Sequence, residues 1–217
     1  MRNRPKTGRV NPDEKAQGLT QAERKSVARI ESFSDIVFAF SLFNLALNLR
    51  APTTPSEFLA QIPLFVVFIG TFGILCEVWW LHHRLFRDFF VPDRVGINLN
   101  FALLASVAMF SYPLQLYFRF GWLNPFTLAG YAAGALLVYG LMAILFWKGV
   151  RSLSGSLVPQ LRADGRSLTL RLGILAIGML VALALYRVGP IAMIIIIGIA
   201  AAVSASLEER RRRRSAY

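Results

Sequence analysis

The 217-residue chain is 55% hydrophobic and 17% charged, with a mean hydropathy of +0.51. An average soluble domain carries about 25% charged residues, so this composition excludes an ordinary soluble protein and predicts a membrane protein. The net charge is +12, but 21 of the 24 Lys and Arg residues lie on one predicted side of the membrane. This positive-inside pattern predicts a multi-pass cell-membrane protein with both termini cytoplasmic, and it removes the need for a nucleic-acid partner.

The N-terminal segment, residues 1–19, is basic and contains Pro, Gly and Asn with little apolar periodicity. We therefore predict a mobile cytoplasmic arm. Thr20 and Glu23 have the spacing of a capping box, which predicts that the first helix begins near Thr20. No separate apolar region with a small-residue cleavage site precedes the first span, so that span is expected to be retained.

The first predicted span, Phe33 to Leu49, is interrupted by polar residues. Ser34, Ser41, Asn44 and Asn48 follow at spacings of seven, three and four, which places them along one helix face. Such a face lines protein or a water-filled path, or it joins helices through hydrogen bonds. Both interpretations remain open from spacing alone.

Five further spans are predicted, and together they define an all-α, six-helix membrane domain over residues 20–207. Their predicted ranges are 58–81, 97–118, 125–147, 168–186 and 191–207. Residues 208–217 are predicted to form an Arg-rich cytoplasmic tail that binds anionic lipid headgroups through the run 210–214. The single cysteine, Cys76, lies inside a span, so neither a disulfide framework nor a thiolate metal cluster is expected.

The cytoplasmic end of the second span is unusually polar and contains Glu77, His82 and His83. Adjacent histidines point about 100° apart on a helix and no third His accompanies them, so a metal site is not predicted. Asp35 and Arg29 are six residues apart on the first helix, so they lack the three- or four-residue spacing that usually pairs side chains. We predict instead that His82 or His83 holds Asp35, together with Arg29 or an Asn at the start of the third span.

Arg29, Phe33, Ser34 and Asp35 form the motif R-x-x-x-F-S-D at the entry to the first span. This motif resembles the signature of the transmembrane protein 175 family of potassium channels. The resemblance extends to the pair His82-His83 and to the six-span hydropathy profile.

The resemblance implies a potassium-selective or weakly selective cation channel that has no cofactor besides permeant K⁺. It implies a homo-oligomer, most simply a tetramer, with a pore lined by the first helix and narrowed by apolar rings, without a carbonyl filter. Carried onto this chain, the ring positions are Phe40, Asn44 and Leu47, and the candidate pore-flanking polar residues are Ser41 and Asn48. The family commonly has aliphatic residues where this chain has Phe40 and Asn44, which puts the width and selectivity of the constriction in question.

Two other functions compete with the channel interpretation. A proton-coupled secondary transporter would use Asp35 and Glu77, although the internal repeats and interrupted helices typical of such folds are not evident in the sequence. A membrane scaffold without transport activity is a further alternative. An enzyme is not predicted, because the sequence contains no nucleophile elbow, HExxH motif or phosphate-binding loop.

Overall fold

The computed structural model describes residues 21–49, 51–121, 123–153 and 159–215, and every regular element in that part of the chain is an α-helix. The helices are α1 (Gln21–Leu47), α2 (Pro55–Ala60), α3 (Ile62–Asp88), α4 (Arg94–Met109), α5 (Tyr112–Phe120), α6 (Pro125–Ser152), α7 (Pro159–Ala184) and α8 (Pro190–Ser215). Six segments are long and apolar enough to cross a bilayer: α1, α3, α4 with the start of α5, α6, α7 and α8. The prediction of an all-α, six-span membrane protein is confirmed. The predicted N-terminal arm and Thr20 lie outside the described residues.

Several helices extend past the ends predicted from hydropathy. The helix α7 begins at Pro159, whereas the prediction placed a loop up to residue 167, and α8 continues through the arginine run to Ser215. Hydropathy marks only the part of a helix that crosses the hydrocarbon layer, and polar helix-forming residues such as Arg carry the helix beyond it. Proline suits the first turn because its missing N–H would have no partner there.

The third span is broken near its outer end, where α4 stops at Met109 and α5 begins at Tyr112. Pro113 lies in the first turn of α5 and cannot donate a backbone hydrogen bond to the preceding turn, so the helix cannot continue unchanged through this point. Ser111 therefore lies at a junction between two helices. Its side chain is 4% exposed.

The core of the subunit forms around α6, which packs against α4, α5 and α7, while α8 packs mainly on α7. Gly149 of α6 allows close approach, because a Cβ there would lie 2.3 Å from the backbone oxygen of Phe89. The first helix, α1, is peripheral and contacts α3 and α4. Only 22% of the apolar stretch of α1 is buried, the same share as in α3, whereas the third span reaches 44%.

An ion pair at the predicted cytoplasmic end joins the start of α4 to α6. Asp93 caps α4 by accepting a hydrogen bond from the backbone N–H of Gly96 at 2.7 Å, and it accepts a second from Lys148 Nζ at 2.6 Å. The bond from Lys148, followed by the bond from Gly96, holds the pKa of Asp93 below its ordinary value. About half of the Asp93 side chain is exposed, so this pair is a modest stabilising contact.

Candidate functional site

The inward face of α1 is formed by Ser34, Phe38, Ser41 and Leu45, which are buried and repeat at spacings of four, three and four. The Ser41 hydroxyl donates to the carbonyl of Val37 at 2.7 Å, so it is satisfied within its own helix. Ser41 is 4% exposed. Ser41 is thus buried within the described part of the chain, and its place beside a pore stays a prediction.

The opposite face of α1 is apolar and, among the described residues, largely exposed. Phe33, Ile36, Phe40, Phe43 and Leu47 all lie on it, with exposures between 48% for Phe33 and 70% for Phe40. Their spacings of three and four place them in one strip along the helix. We call this surface the outer strip of α1.

Asn44 lies at the edge of the outer strip, between the exposed and the inward faces. Its side chain is exposed, yet its amide Nδ2 donates to the Ser111 hydroxyl at 2.9 Å. Asn48 is half-buried, and its amide donates to the backbone carbonyl of Asn44 at 2.8 Å. The nitrogen of the Asn44 amide is thus anchored on the α4–α5 junction, which leaves its carbonyl oxygen as the group that can face a polar path.

A buried chain of hydrogen bonds joins α1, α3 and α4 near the family motif. His82 Nε2 lies 2.8 Å from Asn100 Oδ1, and Asn100 Nδ2 donates to the Ser34 hydroxyl at 3.2 Å. The Ser34 hydroxyl in turn donates to the carbonyl of Ile30 at 2.8 Å. Because an oxygen faces it, Nε2 of His82 carries the proton. His82, Asn100 and Ser34 are completely buried, so they fix how α1 sits on α3 and α4.

Asp35 has a different partner from the one predicted. Its carboxylate accepts a hydrogen bond from the indole nitrogen of Trp79 at 2.9 Å, while His82 bonds Asn100 and His83 lies 3.4 Å from Glu31. The physical reason is the angle between the Ser34 and Asp35 side chains around the axis of α1. Asp35 is the position after Ser34 and therefore points about 100° away from the buried chain, towards the exposed side of α3.

Of the remaining motif residues, Phe33 packs edge-on against Phe101 at 6.1 Å, and Arg29 is exposed. No contact of Arg29 with Asp35 occurs among the described residues, as their spacing predicts. Glu77, the second carboxylate of the transporter alternative, is also exposed and lies on α3. The motif thus contributes one residue to the buried chain and three to surfaces of the subunit.

Sequence reasoning did not anticipate Trp79 and Ser111 as partners of α1. Tryptophan near the end of a spanning helix is typical of the interfacial belt, so its residue type alone does not indicate a partner on α1. A signal was available in its spacing, because Trp79 precedes His82 by three residues and therefore lies close to the same side of α3. For Ser111 the signal was the proline two positions later, since a helix break brings polar groups into reach of a neighbouring helix.

The fold and these contacts define a six-span α-helical membrane protein whose first helix is held by a buried polar chain and leaves an apolar strip uncovered. Residues 29–110, from the motif arginine through α4, match the family model described as the endosomal/lysosomal potassium channel TMEM175. This match contains most of α1 and all of α3 and α4, the three helices joined by the polar chain. Over these residues the chain is similar to the TMEM175 family.

Two curated relatives are named as potassium channels. The one from Marivirga tractuosa is 32% identical over 96 residues, covering 44% of this chain and 39% of that protein. The one from Chamaesiphon minutus is 29% identical over 102 residues, covering 43% of this chain and 50% of that protein. The chain thus spans half or less of the length of these relatives.

A crystal structure of a variant of the potassium channel MtTMEM175, in complex with a nanobody–MBP fusion protein, resembles this fold with a TM-score of 0.62. The sequences are 20% identical, and the similarity covers 87% of this chain and 93% of that one. At this identity the similarity shows the fold. None of these three relatives is named as a transporter, so they do not support the transporter alternative.

Proposed function

We propose that this chain forms an oligomeric channel that conducts potassium passively through a path lined by α1. The relatives named as potassium channels support the permeant ion, and the outer strip of α1 carries the structural argument. Phe40 and Leu47 are 70% and 64% exposed in the isolated subunit, and the exposed Asn44 lies between them. The outer strip of α1 is thus apolar except at Asn44, and an apolar surface of this kind can form a constriction that closes by losing its water.

A single copy of α1 cannot enclose a path, so the proposal requires an oligomer. Asp35 supports this, because its carboxylate is exposed on the isolated subunit although it lies on a spanning helix. A charged group facing lipid is costly, whereas a subunit interface or an aqueous entrance accommodates it. Four subunits with closed rotational symmetry, as the family resemblance implies, place four copies of each α1 residue in a ring.

An ion moving through such a ring assembly would meet aromatic, amide and aliphatic side chains in succession. Phe40 lies about 6 Å from Asn44 along the helix axis, and Leu47 lies about 4.5 Å farther, at 1.5 Å per residue. With its nitrogen donating to Ser111, Asn44 would present its carbonyl oxygen to the ion. Four neutral and flexible amides favour a partly hydrated cation but discriminate between K⁺ and Na⁺ less than rigid backbone carbonyls do.

We place both termini in the cytoplasm of a cell-membrane protein, on the argument from the distribution of Lys and Arg. In this orientation residues 20–207 are the channel domain. The segment 208–217 is the basic tail, whose arginine run would contact anionic headgroups. The buried chain through His82 and the pair of Asp35 with Trp79 would lie near the cytoplasmic entrance.

Recording from the purified protein in a planar bilayer tests the proposal. A channel gives unitary currents whose reversal potential under asymmetric K⁺ follows the K⁺ gradient. Phe40→Ala should raise the unitary conductance by widening the ring, whereas the matched control Phe126→Ala, on a 64%-exposed position of α6, should leave it unchanged. Slow gradient-coupled flux without unitary currents would overturn the proposal in favour of a transporter.

A further inference from the structure

A cavity of about 510 Å³ lies between the last turns of α6 and the first turns of α7, away from the outer strip of α1. Its volume falls in the range of pockets that hold small molecules or headgroups. Its lining includes Trp147, Arg151, Arg162, Arg166 and Leu170. The C-terminal end of α6 and the N-terminal end of α7 lie on the same side of the membrane as the C-terminal end of α3, which is the cytoplasmic side in the proposed orientation.

The titratable side chains that line the cavity are all arginines. Arg162 donates a hydrogen bond to the carbonyl of Leu153, and Arg151 lies over the Trp147 ring at 4.0 Å from its centroid. The carboxylate of Asp164, on the same helix, lies 3.5 Å from Arg84 of α3 and is not part of the lining. Three guanidinium groups thus face a concave space without a carboxylate in its lining.

The rim of the cavity is apolar where it meets the membrane-facing surface. Trp147 is 48% exposed and Leu170 is 58% exposed. Tryptophan is enriched at the level of lipid headgroups, where its ring contacts acyl chains and its edge contacts water. A ligand that fits both the arginines and this rim has an anionic head and an apolar body.

We propose that this cavity binds the phosphate headgroup of an anionic phospholipid, with its acyl chains along Trp147 and Leu170. Guanidinium groups bind phosphate oxygens through paired hydrogen bonds, and basic pockets between spanning helices are typical sites for anionic headgroups. The proposal does not depend on whether the protein conducts ions. Free phosphate shares the headgroup chemistry, but the apolar rim favours the lipid.

Native mass spectrometry of the purified full chain, titrated with phosphatidylglycerol or phosphatidylcholine of the same acyl length, tests the site. We expect the wild type to retain phosphatidylglycerol in preference to phosphatidylcholine. Removing two arginines with the double variant Arg151→Gln and Arg166→Gln should weaken phosphatidylglycerol binding about 30-fold, or about 2 kcal/mol. Both side chains are exposed, so folding should be preserved.

The control double variant Lys25→Gln and Arg94→Gln removes the same charge from exposed positions on the same side, outside the cavity. It should bind phosphatidylglycerol as the wild type does. Should the first variant fail to fold, Arg151→Lys with Arg166→Lys keeps the charge, loses the paired geometry and should still weaken binding.

Three results would overturn the assignment: no preference for phosphatidylglycerol in the wild type, equal loss in cavity and control variants, or no loss in either. Equilibrium dialysis with radiolabelled inorganic phosphate separates the two sources of the anion. If phosphate alone binds the wild type and displaces the lipid, the site belongs to a soluble anion and the lipid proposal fails.

Discussion

Replacing Asn44 with leucine should change both the stability of the subunit and the current through the proposed pore. The reason is that the Asn44 amide bonds the α4–α5 junction and is also exposed on the surface proposed to line the pore. Its nitrogen donates to Ser111 at 2.9 Å, and the side chain is otherwise exposed on the edge of the outer strip. The leucine variant keeps a side chain of similar size but removes the hydrogen bond and the polar ring together. The matched variant Ser111→Ala removes the hydrogen bond alone.

The stability effect follows from the burial of Ser111. Its hydroxyl is 4% exposed, so Asn44→Leu leaves a buried polar group without this partner, at a cost of about 1–3 kcal/mol. Ser111→Ala should cost less, because the exposed Asn44 amide can bind water. Hydrogen bonds between spanning helices have coupling energies of about 0.6 kcal/mol on average and up to about 1.7 kcal/mol, and we expect the Asn44–Ser111 pair to fall in that range.

The conductance effect follows from the spacing of the rings. With leucine at position 44 the constriction would be apolar from Phe40 to Leu47, about 10 Å along the helix axis. If the lost amide ring stabilises the ion by about 1.4 kcal/mol or more, the unitary current falls at least about tenfold. Ser111→Ala should change the unitary current little, because the amide stays on the strip.

The assays are unfolding of the purified oligomer for the double-mutant cycle and single-channel recording for each variant. Recording is restricted to protein that elutes as the wild-type oligomer, so that assembly defects do not appear as lost current. If Asn44→Leu and Ser111→Ala lower stability while both leave the unitary current unchanged, Asn44 serves only to pack α1 on the α4–α5 junction. That result would refute its place in the pore.

Other parts of the structure give three further predictions. In a cysteine-free background, Leu47→Cys should crosslink between subunits across the axis, whereas Ile195→Cys on α8 should not. Non-reducing electrophoresis measures the crosslinking, and equal crosslinking of the two variants would contradict a central position of α1. His82→Ala should lower the stability of the subunit by about 1–3 kcal/mol, because it leaves the buried Asn100 amide without a partner. His83→Ala, at a side chain that is 43% exposed, should cost at most about 1 kcal/mol, and equal thermal shifts for the two variants would count against the buried chain. Asp93→Asn keeps the helix cap but loses the ion pair, so the wild type should be more stable by at most about 1 kcal/mol at neutral pH. Because folding lowers the pKa of Asp93, the stability advantage of the wild type should vanish as the pH falls through that lowered pKa, below about pH 4. A difference in melting temperature between wild type and Asp93→Asn that stays constant with pH would refute this prediction.

Length and hydropathy were sufficient to predict six spanning helices and the all-α fold, because a bilayer admits few structures other than helices of about 20 apolar residues. Two helix starts also depend on local signals that can be read in the sequence. Thr54 caps α2 by accepting from Glu57 N–H at 3.2 Å, and Asn124 caps α6 by accepting from Phe126 N–H at 2.9 Å. These features depend on residues that are neighbours in the chain. The motif around Asp35 likewise predicted the similarity to the TMEM175 family that residues 29–110 have.

Which face of α1 points inward could be decided only by the tertiary structure. In a soluble protein an apolar strip indicates the core, but lipid is as apolar as the core, so polarity no longer separates inside from outside. Ser34 and Ser41 are buried, while Phe40 and Leu47 on the same helix are exposed. The sequence alone determines how these side chains are oriented relative to one another around α1, but not which side of the helix contacts protein.

The pairing of polar groups was also beyond the sequence, because it depends on the rotation and depth of each helix relative to the next. Asp35, His82 and Asn100 were all expected near one level of the membrane, and His82 and Asn100 do meet. Adjacent positions on a helix nevertheless differ by about 100°, so Ser34 joins the buried chain of hydrogen bonds whereas Asp35 bonds Trp79. Sequence spacing determines that rotation within one helix, and only the packing of α1 against α3 and α4 determines which partner each side chain finds.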